Sequence, residues 1–183
     1  MPFGLPALSK SEDKILQDWL RNGAKMAPLL PLDSVYNDQV TVWENFLNGD
    51  SLKEQLVSRY LYEHWFIAHL YFSELPAGKF FKVVRSRTPP GQPIDIIATR
   101  RPYDEPGVER VYYRLWRERA SILEKTHMPY ALNSDRLKKY TQLFLQDNYQ
   151  VNRLPSYKPK VASNPFKAFE AIPSIARYKF LLE

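Results

Sequence analysis

Apolar residues recur at helical spacing early in the chain, alternate in its middle, and return to helical spacing toward its end. Ser9 and Glu12 have the spacing of a capping box, and Ile15, Leu16, Trp19 and Leu20 then share one face. Gly23 lies where a left-handed stop is expected, so a helix is predicted over about 10–22. A second is predicted over about 38–48, with Val42, Trp43 and Phe46 inward and Gly49 as its stop. Ser51 stands three residues before Glu54 and opens the strongest pattern, which runs toward Glu74 through Leu56, Tyr60 and Ile67. Beyond Tyr60 this segment is apolar almost all round, so a helix there belongs in the middle of a fold. Pro76 and Gly78 end it.

The period then changes. Residues 80–84 and 94–98 look like strands joined by the Pro-rich loop Thr88–Pro93. Val111, Tyr113 and Leu115 alternate with Arg110, Tyr112 and Arg114, as a half-buried strand does. Residues 118–128 fit either strand or helix. Helical spacing resumes over about 134–146 with Leu137, Tyr140 and Phe144 inward, and Asn164-Pro165 and Ser174 look like later helix starts. The expected class is α+β, helix-rich at both ends, with a small sheet or strand pair and Pro-rich loops between.

Composition sharpens this picture. Among 183 residues, 44% are apolar and 14% aromatic, enough to bury a core, and fifteen prolines against six glycines predict rigid, irregular connections. The net charge of +6 is uneven: residues 1–75 carry −4, residues 76–160 carry +9, and residues 161–183 carry +1. The basic middle suits an anionic partner, or is a solvated face with none. With no cysteine, disulfides, thiolate metal sites and covalent haem attachment are excluded within these residues. No uninterrupted apolar stretch approaches the ~18 residues of a transmembrane helix, and no signal peptide is read at the start.

Few residues offer chemistry. His64 and His69, five apart on the predicted helix, would point about 140° apart, so they do not chelate one ion. Either one faces a cofactor or partner while the other bonds within the core, or both are satisfied core histidines. His127, beside Met128-Pro129, is the third candidate catalytic histidine. Arg85, Arg87, Arg100 and Arg101 flank the Pro-rich loop, where guanidinium forks bind carboxylates or phosphates, or else pair with Asp95, Asp104 and Glu105. Arg110 to Arg117 interleaves basic and aromatic residues, a pattern that single-strand nucleic-acid binders share with any half-exposed strand; no nucleic-acid partner is expected. Gly-rich phosphate loops, nucleophile elbows and H-E-x-x-H are missing.

Four runs, in order, resemble the bacterial fatty acid cis/trans isomerases: Ser58–Leu70; Val84–Pro93 with Ile97–Asp104 and Pro106–Val108; Lys125–Leu132; and Ala162–Phe169. The resemblance implies a periplasmic enzyme converting cis-unsaturated acyl chains to trans isomers, in a membrane response to solvent or heat stress. It implies an unsaturated fatty acid or phospholipid acyl chain as substrate, and peripheral membrane contact. The family is longer and carries haem c on a CxxCH motif near its N-terminus; this sequence lacks it. The expectation is therefore a C-terminal piece, inactive without the haem-bearing part. The Met-Pro turn followed by Leu8, Ser9, Glu12 and Trp19-Leu20 is similar to the closing segment of class I cytochrome c domains, where the turn methionine ligates iron. Residues 1–30 are thus expected to end a cytochrome c-like segment and residues 31–183 to form the isomerase C-terminal region. By that likeness Met1 is a candidate haem ligand, with Met128 competing. The implied mechanism loosens the alkene through an electron-poor haem iron, with the helix around His64 and Trp65 lining an acyl slot. Arg85, Arg87 and Arg101 are expected near the head group. The alternative function is a non-catalytic basic structural or interaction module of a larger periplasmic haem protein.

Overall fold

The computed structural model describes residues 6–26, 31–119 and 128–183. Met1 and His127 lie outside the described residues. The chain divides into two compact units, residues 1–31 and 32–183.

In the first unit, helix α1 covers Lys10–Arg21. Its capping box is closed on both sides: Ser9 Oγ accepts from Glu12 N at 3.2 Å, and Ser9 N donates to the Glu12 carboxylate at 2.8 Å. Those bonds to Ser9 lower the Glu12 pKa. Its apolar residues Ile15, Leu16, Trp19 and Leu20 are exposed.

The second unit is a four-stranded mixed sheet with helices around it. Helix α2 spans Ser34–Leu47 and α3 spans Leu52–Trp65, followed by strand β1 at His69–Phe72. Strands β2 (Phe81–Ser86), β3 (Tyr112–Arg117) and β4 (Pro129–Leu132) complete the sheet in the order β3-β2-β1-β4. Strands β2 and β3 are antiparallel in the register Val83 opposite Leu115, while β1 runs parallel to β4 with Leu70 opposite Tyr130. Helix α4 (Ser134–Tyr140) passes into a π-helical turn at Thr141–Gln146. The short helices α5 (Pro159–Ala162) and α6 (Pro165–Ala168) precede α7 at Ser174–Leu181.

Several expectations need correction. The helix opened by the Ser51–Glu54 capping box stops at Trp65, not near Glu74. His69 therefore belongs to a strand, and the helical angle between His64 and His69 does not apply. Long-range pairing decides this: His69 N donates to Met128 O at 2.8 Å and Ser73 N to Leu132 O at 3.1 Å. A run of aromatic and apolar residues meets a waiting strand partner, and its local helical pattern gives way. Ile67 is accordingly exposed in the turn. Residues 94–98 form only an isolated bridge, Ser86 with Ile96, held by Arg87 N donating to Asp95 O at 2.9 Å and Ile97 N to Arg85 O at 2.8 Å. Val42 is exposed although Trp43 is buried and Phe46 packs on the core.

The core is aromatic. Trp65, 1% exposed, packs against Trp43 at 6.1 Å between ring centroids, Tyr130 at 5.6 Å and Tyr140 at 6.1 Å. Phe180 of α7 reaches Tyr60, Tyr140 and Phe144 within 6.0 Å, so the last helix is built into this core.

Candidate functional site

Two buried polar regions flank the core, and they differ in how fully their groups are partnered. The first braces the Pro-rich loop. Arg114 Nε donates to Glu44 Oε2 at 2.7 Å, and Glu44 Oε1 accepts from Leu115 N at 2.8 Å. Arg114 Nη1 turns into the loop and donates to Pro89 O at 2.7 Å and Gln92 O at 3.2 Å. The carboxylate and guanidinium, both nearly fully buried, are thus satisfied from α2, β3 and the loop together.

The arginines expected at a head group lie beside this brace. Arg85, 1% exposed, donates from Nη1 to Asp104 O at 2.7 Å and from Nη2 to Thr99 Oγ1, with Nε unpartnered. Its guanidinium stands 5.4 Å from the Tyr62 ring centroid, and burial raises the Tyr62 pKa against the opposing charge of Arg85. Arg87 is half exposed and pairs with Asp95 at 3.1 Å. Arg101 is exposed, its backbone N–H donating to Asp104 Oδ2 at 2.9 Å. Nearby on α3, Arg59 Nε donates to Glu63 at 2.8 Å and Nη1 to Pro155 O at 2.8 Å, tying the helix to the later chain. Burial raises the Glu63 pKa, and Arg59 opposes it.

The second region is a cavity of about 200 Å³ between α3, α6 and α7, lined by Tyr60, His64, Phe166, Arg177, Tyr178 and Leu181 among others. Tyr60 is 2% exposed, and its hydroxyl is buried without a partner. Burial pushes its pKa up to about 12, with the charge of Arg177 pulling the other way. Arg177 Nε is likewise buried without a partner. His64 Nδ1 lies 2.7 Å from Tyr60 O. A carbonyl only accepts, so the proton belongs on Nδ1 and Nε2 keeps its lone pair. Burial lowers the His64 pKa, which keeps the ring neutral near pH 7. The ring is fixed by Tyr60 at 4.1 Å and Phe180 at 5.4 Å between centroids. An apolar pocket is thus lined by a tyrosine, an arginine and a neutral histidine, and the first two suit an amphiphile with an acidic head.

Of the residues expected from sequence, this cavity gathers His64 alone. Trp65 is sealed in the core, His69 lies on β1, Met128 precedes β4 and is 41% exposed. Tyr60 is read from sequence only as a position on the apolar helix, and Arg177 and Tyr178 escape that reading. The available signal was the pair Ala176 and Phe180, four apart behind the Ser174 helix start, which seats Arg177 beside a buried face.

A haem c does not fit these residues as an attached group, since its thioether bonds need cysteine and the sequence has none. Among the described residues no group of three or more His, Cys, Asp or Glu is placed to hold a metal ion, and no helix is long and apolar enough to cross a membrane. Neither a curated protein nor a solved structure matches the chain. The family model for fatty acid cis/trans isomerase matches residues 1–183, the whole chain. That match over the full length places this chain in the fatty acid cis/trans isomerase family.

Proposed function

We propose that this chain is the acyl-gripping part of a haem-dependent, periplasmic isomerase that converts cis-unsaturated fatty acids of membrane lipids to trans isomers. The family match carries the activity, and the cavity beside His64 carries the assignment of gripping. Haem, where it takes part, is attached outside these 183 residues, and these residues alone are inactive.

Isomerisation adds and removes no atoms. A protein can assist by holding one end of the chain still while the alkene turns. Arg177 supplies a charge for the carboxylate and Tyr60 Oη a hydrogen bond to it. Both groups are buried with donors unspent, which is costly unless a ligand or water answers them. Phe166, Tyr178 and Leu181 enclose the first part of the chain. His64, neutral near pH 7, lines the cavity without adding a second charge.

The test has two parts. In cells making the full-length protein, the trans-to-cis ratio of extracted fatty acids, read by gas chromatography, should fall at least tenfold with Arg177→Met. Binding of decanoate to the 183-residue chain, followed by tryptophan fluorescence, should weaken on the order of tenfold in the same variant, the loss of one charge-assisted bond. Unchanged values in both would remove the cavity from the reaction. An iron-free full-length protein that isomerises oleate would remove haem.

A further inference from the structure

Helix α7 has two apolar faces. Ala176 and Phe180 lie on the buried one. Ile175, Tyr178, Leu181 and Leu182 lie on the other, 58%, 66%, 61% and 85% exposed, within an arc of roughly 120° at ~100° per residue. Arg177 borders that arc on one side and Lys179 on the other. Phe166, 77% exposed, stands with Tyr178 and Leu181 at the cavity. Lys158, Lys160 and Lys167 are exposed in the segment leading to α7, and Glu170 is its exposed acid. The remaining acid, Glu183, is engaged by Tyr140, Arg136 and Lys139.

We propose that this face of α7, with Phe166 and the exposed lysines of the segment before it, is the surface by which the protein rests on an anionic lipid bilayer, with the cavity mouth opening against the lipid. The inference rests on the reading of the cavity as an acyl site. Three observations support it. An exposed apolar arc bordered by cations is the pattern of a helix lying in a membrane interface. Tyr and Phe at its centre suit the boundary between water and hydrocarbon. The excess of lysine and arginine over acids is complementary to anionic head groups and to no neutral surface.

The cavity size gives the surface its purpose. About 200 Å³ lies below the ~300 Å³ at which pockets begin to enclose a drug-sized ligand, so a long acyl chain does not fit inside whole. Its head and first carbons enter; the rest stays at the mouth. Left in water, that remainder would cost about 0.8 kcal/mol per methylene, whereas a bilayer against the mouth keeps it dry. The carboxylate of a free acid already lies at the lipid surface, beside the mouth through which it passes to reach Arg177.

Co-sedimentation of the 183-residue chain with vesicles tests this, comparing phosphatidylglycerol-containing vesicles with pure phosphatidylcholine. Binding to the anionic vesicles is expected to exceed binding to the neutral ones on the order of tenfold and to weaken with salt. The variant Ile175→Ser with Lys179→Glu and Leu182→Ser alters exposed residues that do not line the cavity. It is expected to keep its thermal unfolding temperature and decanoate binding and to lose vesicle binding on the order of tenfold. Equal binding of the variant and the parent to anionic vesicles would overturn the proposal, as would parent chain that does not sediment with them. So would a dimer in sedimentation velocity that the triple variant abolishes, since the face then belongs to a second copy. Decanoate binding without vesicle binding defeats the surface and spares the cavity; loss of decanoate binding in the parent defeats the cavity itself.

Discussion

The brace at Glu44 and Arg114 and the floor of the cavity at Tyr60 and Arg177 both bury polar atoms, yet they leave opposite accounts. In the brace, both Glu44 oxygens and the Arg114 Nε and Nη1 find partners from three parts of the chain. On the cavity floor, Tyr60 Oη and Arg177 Nε find none. A buried group with every bond made stabilises a shape and has little left to offer a ligand. A buried group with bonds unmade destabilises the empty protein and is ready for one. Arg85 Nε, Arg59 Nη2 and Trp65 Nε1 are also buried without partners, so an unmade bond points to a site only where a cavity stands beside it, as at Tyr60 and Arg177.

The largest expected effect lies in the brace. Arg114→Met leaves the Glu44 carboxylate buried without its cation, and urea unfolding should show a loss of about 3–5 kcal/mol. A loss below about 1 kcal/mol would mean that water reaches Glu44 and the brace is not closed. Phe180→Ala, which opens a hole between Tyr60, Tyr140 and Phe144, should cost about 3–5 kcal/mol by the same measurement.

On the cavity side, effects on folding should be small or reversed. Arg177→Met removes a donor that has no protein partner at Nε, so stability should change by no more than about 1 kcal/mol while decanoate binding falls. The titrations of the site follow its burial. The His64 pKa is lowered in the folded chain, so below the ordinary value of 6.5 the unfolded chain takes up a proton that the folded one resists. Stability contributed by neutral His64 is therefore lost as pH falls below about 6.5, and His64→Gln should flatten the dependence there. Tyr60, raised to about 12, acts at the other end: stability falls as pH climbs beyond about 10, and Tyr60→Phe should remove only its share of a decline to which Tyr62, Tyr113, Tyr140 and Tyr149, all raised by burial, also contribute. The smallest effect belongs to Arg87→Ala, whose half-exposed pair with Asp95 should contribute no more than about 1 kcal/mol.

Much of the fold was legible where the signal is local. The capping boxes at Ser9 and Ser51 set the starts of α1 and α3, and the alternation around Tyr113 and Leu115 marks β3. Legibility failed where a distant strand decides. Residues 69–72 carry a helical pattern, yet β1 forms because β4 supplies backbone partners that no window around His69 contains. Phe144 was placed correctly inward, but the π-helical turn that carries it was not foreseen. At the site, His64 stood out for its chemistry, whereas Arg177 looked like one cation among many. Its distinction is an unpartnered nitrogen beneath a tyrosine, and partnership is a property of three dimensions. The Pro-rich loop drew attention for its arginines on either side, while the one that holds it, Arg114, sits in the next strand.

The parallel join of β1 to β4 also imposes an order on biosynthesis. His69 must wait for Pro129, about sixty residues later, before its strand is complete, whereas β2 and β3 can close from within the intervening stretch. During synthesis the nascent chain presents a bare strand margin, rich in leucine and aromatics, for the time it takes that stretch to emerge. Slow translation through the prolines would lengthen this exposure, and a holding chaperone would shorten its consequences.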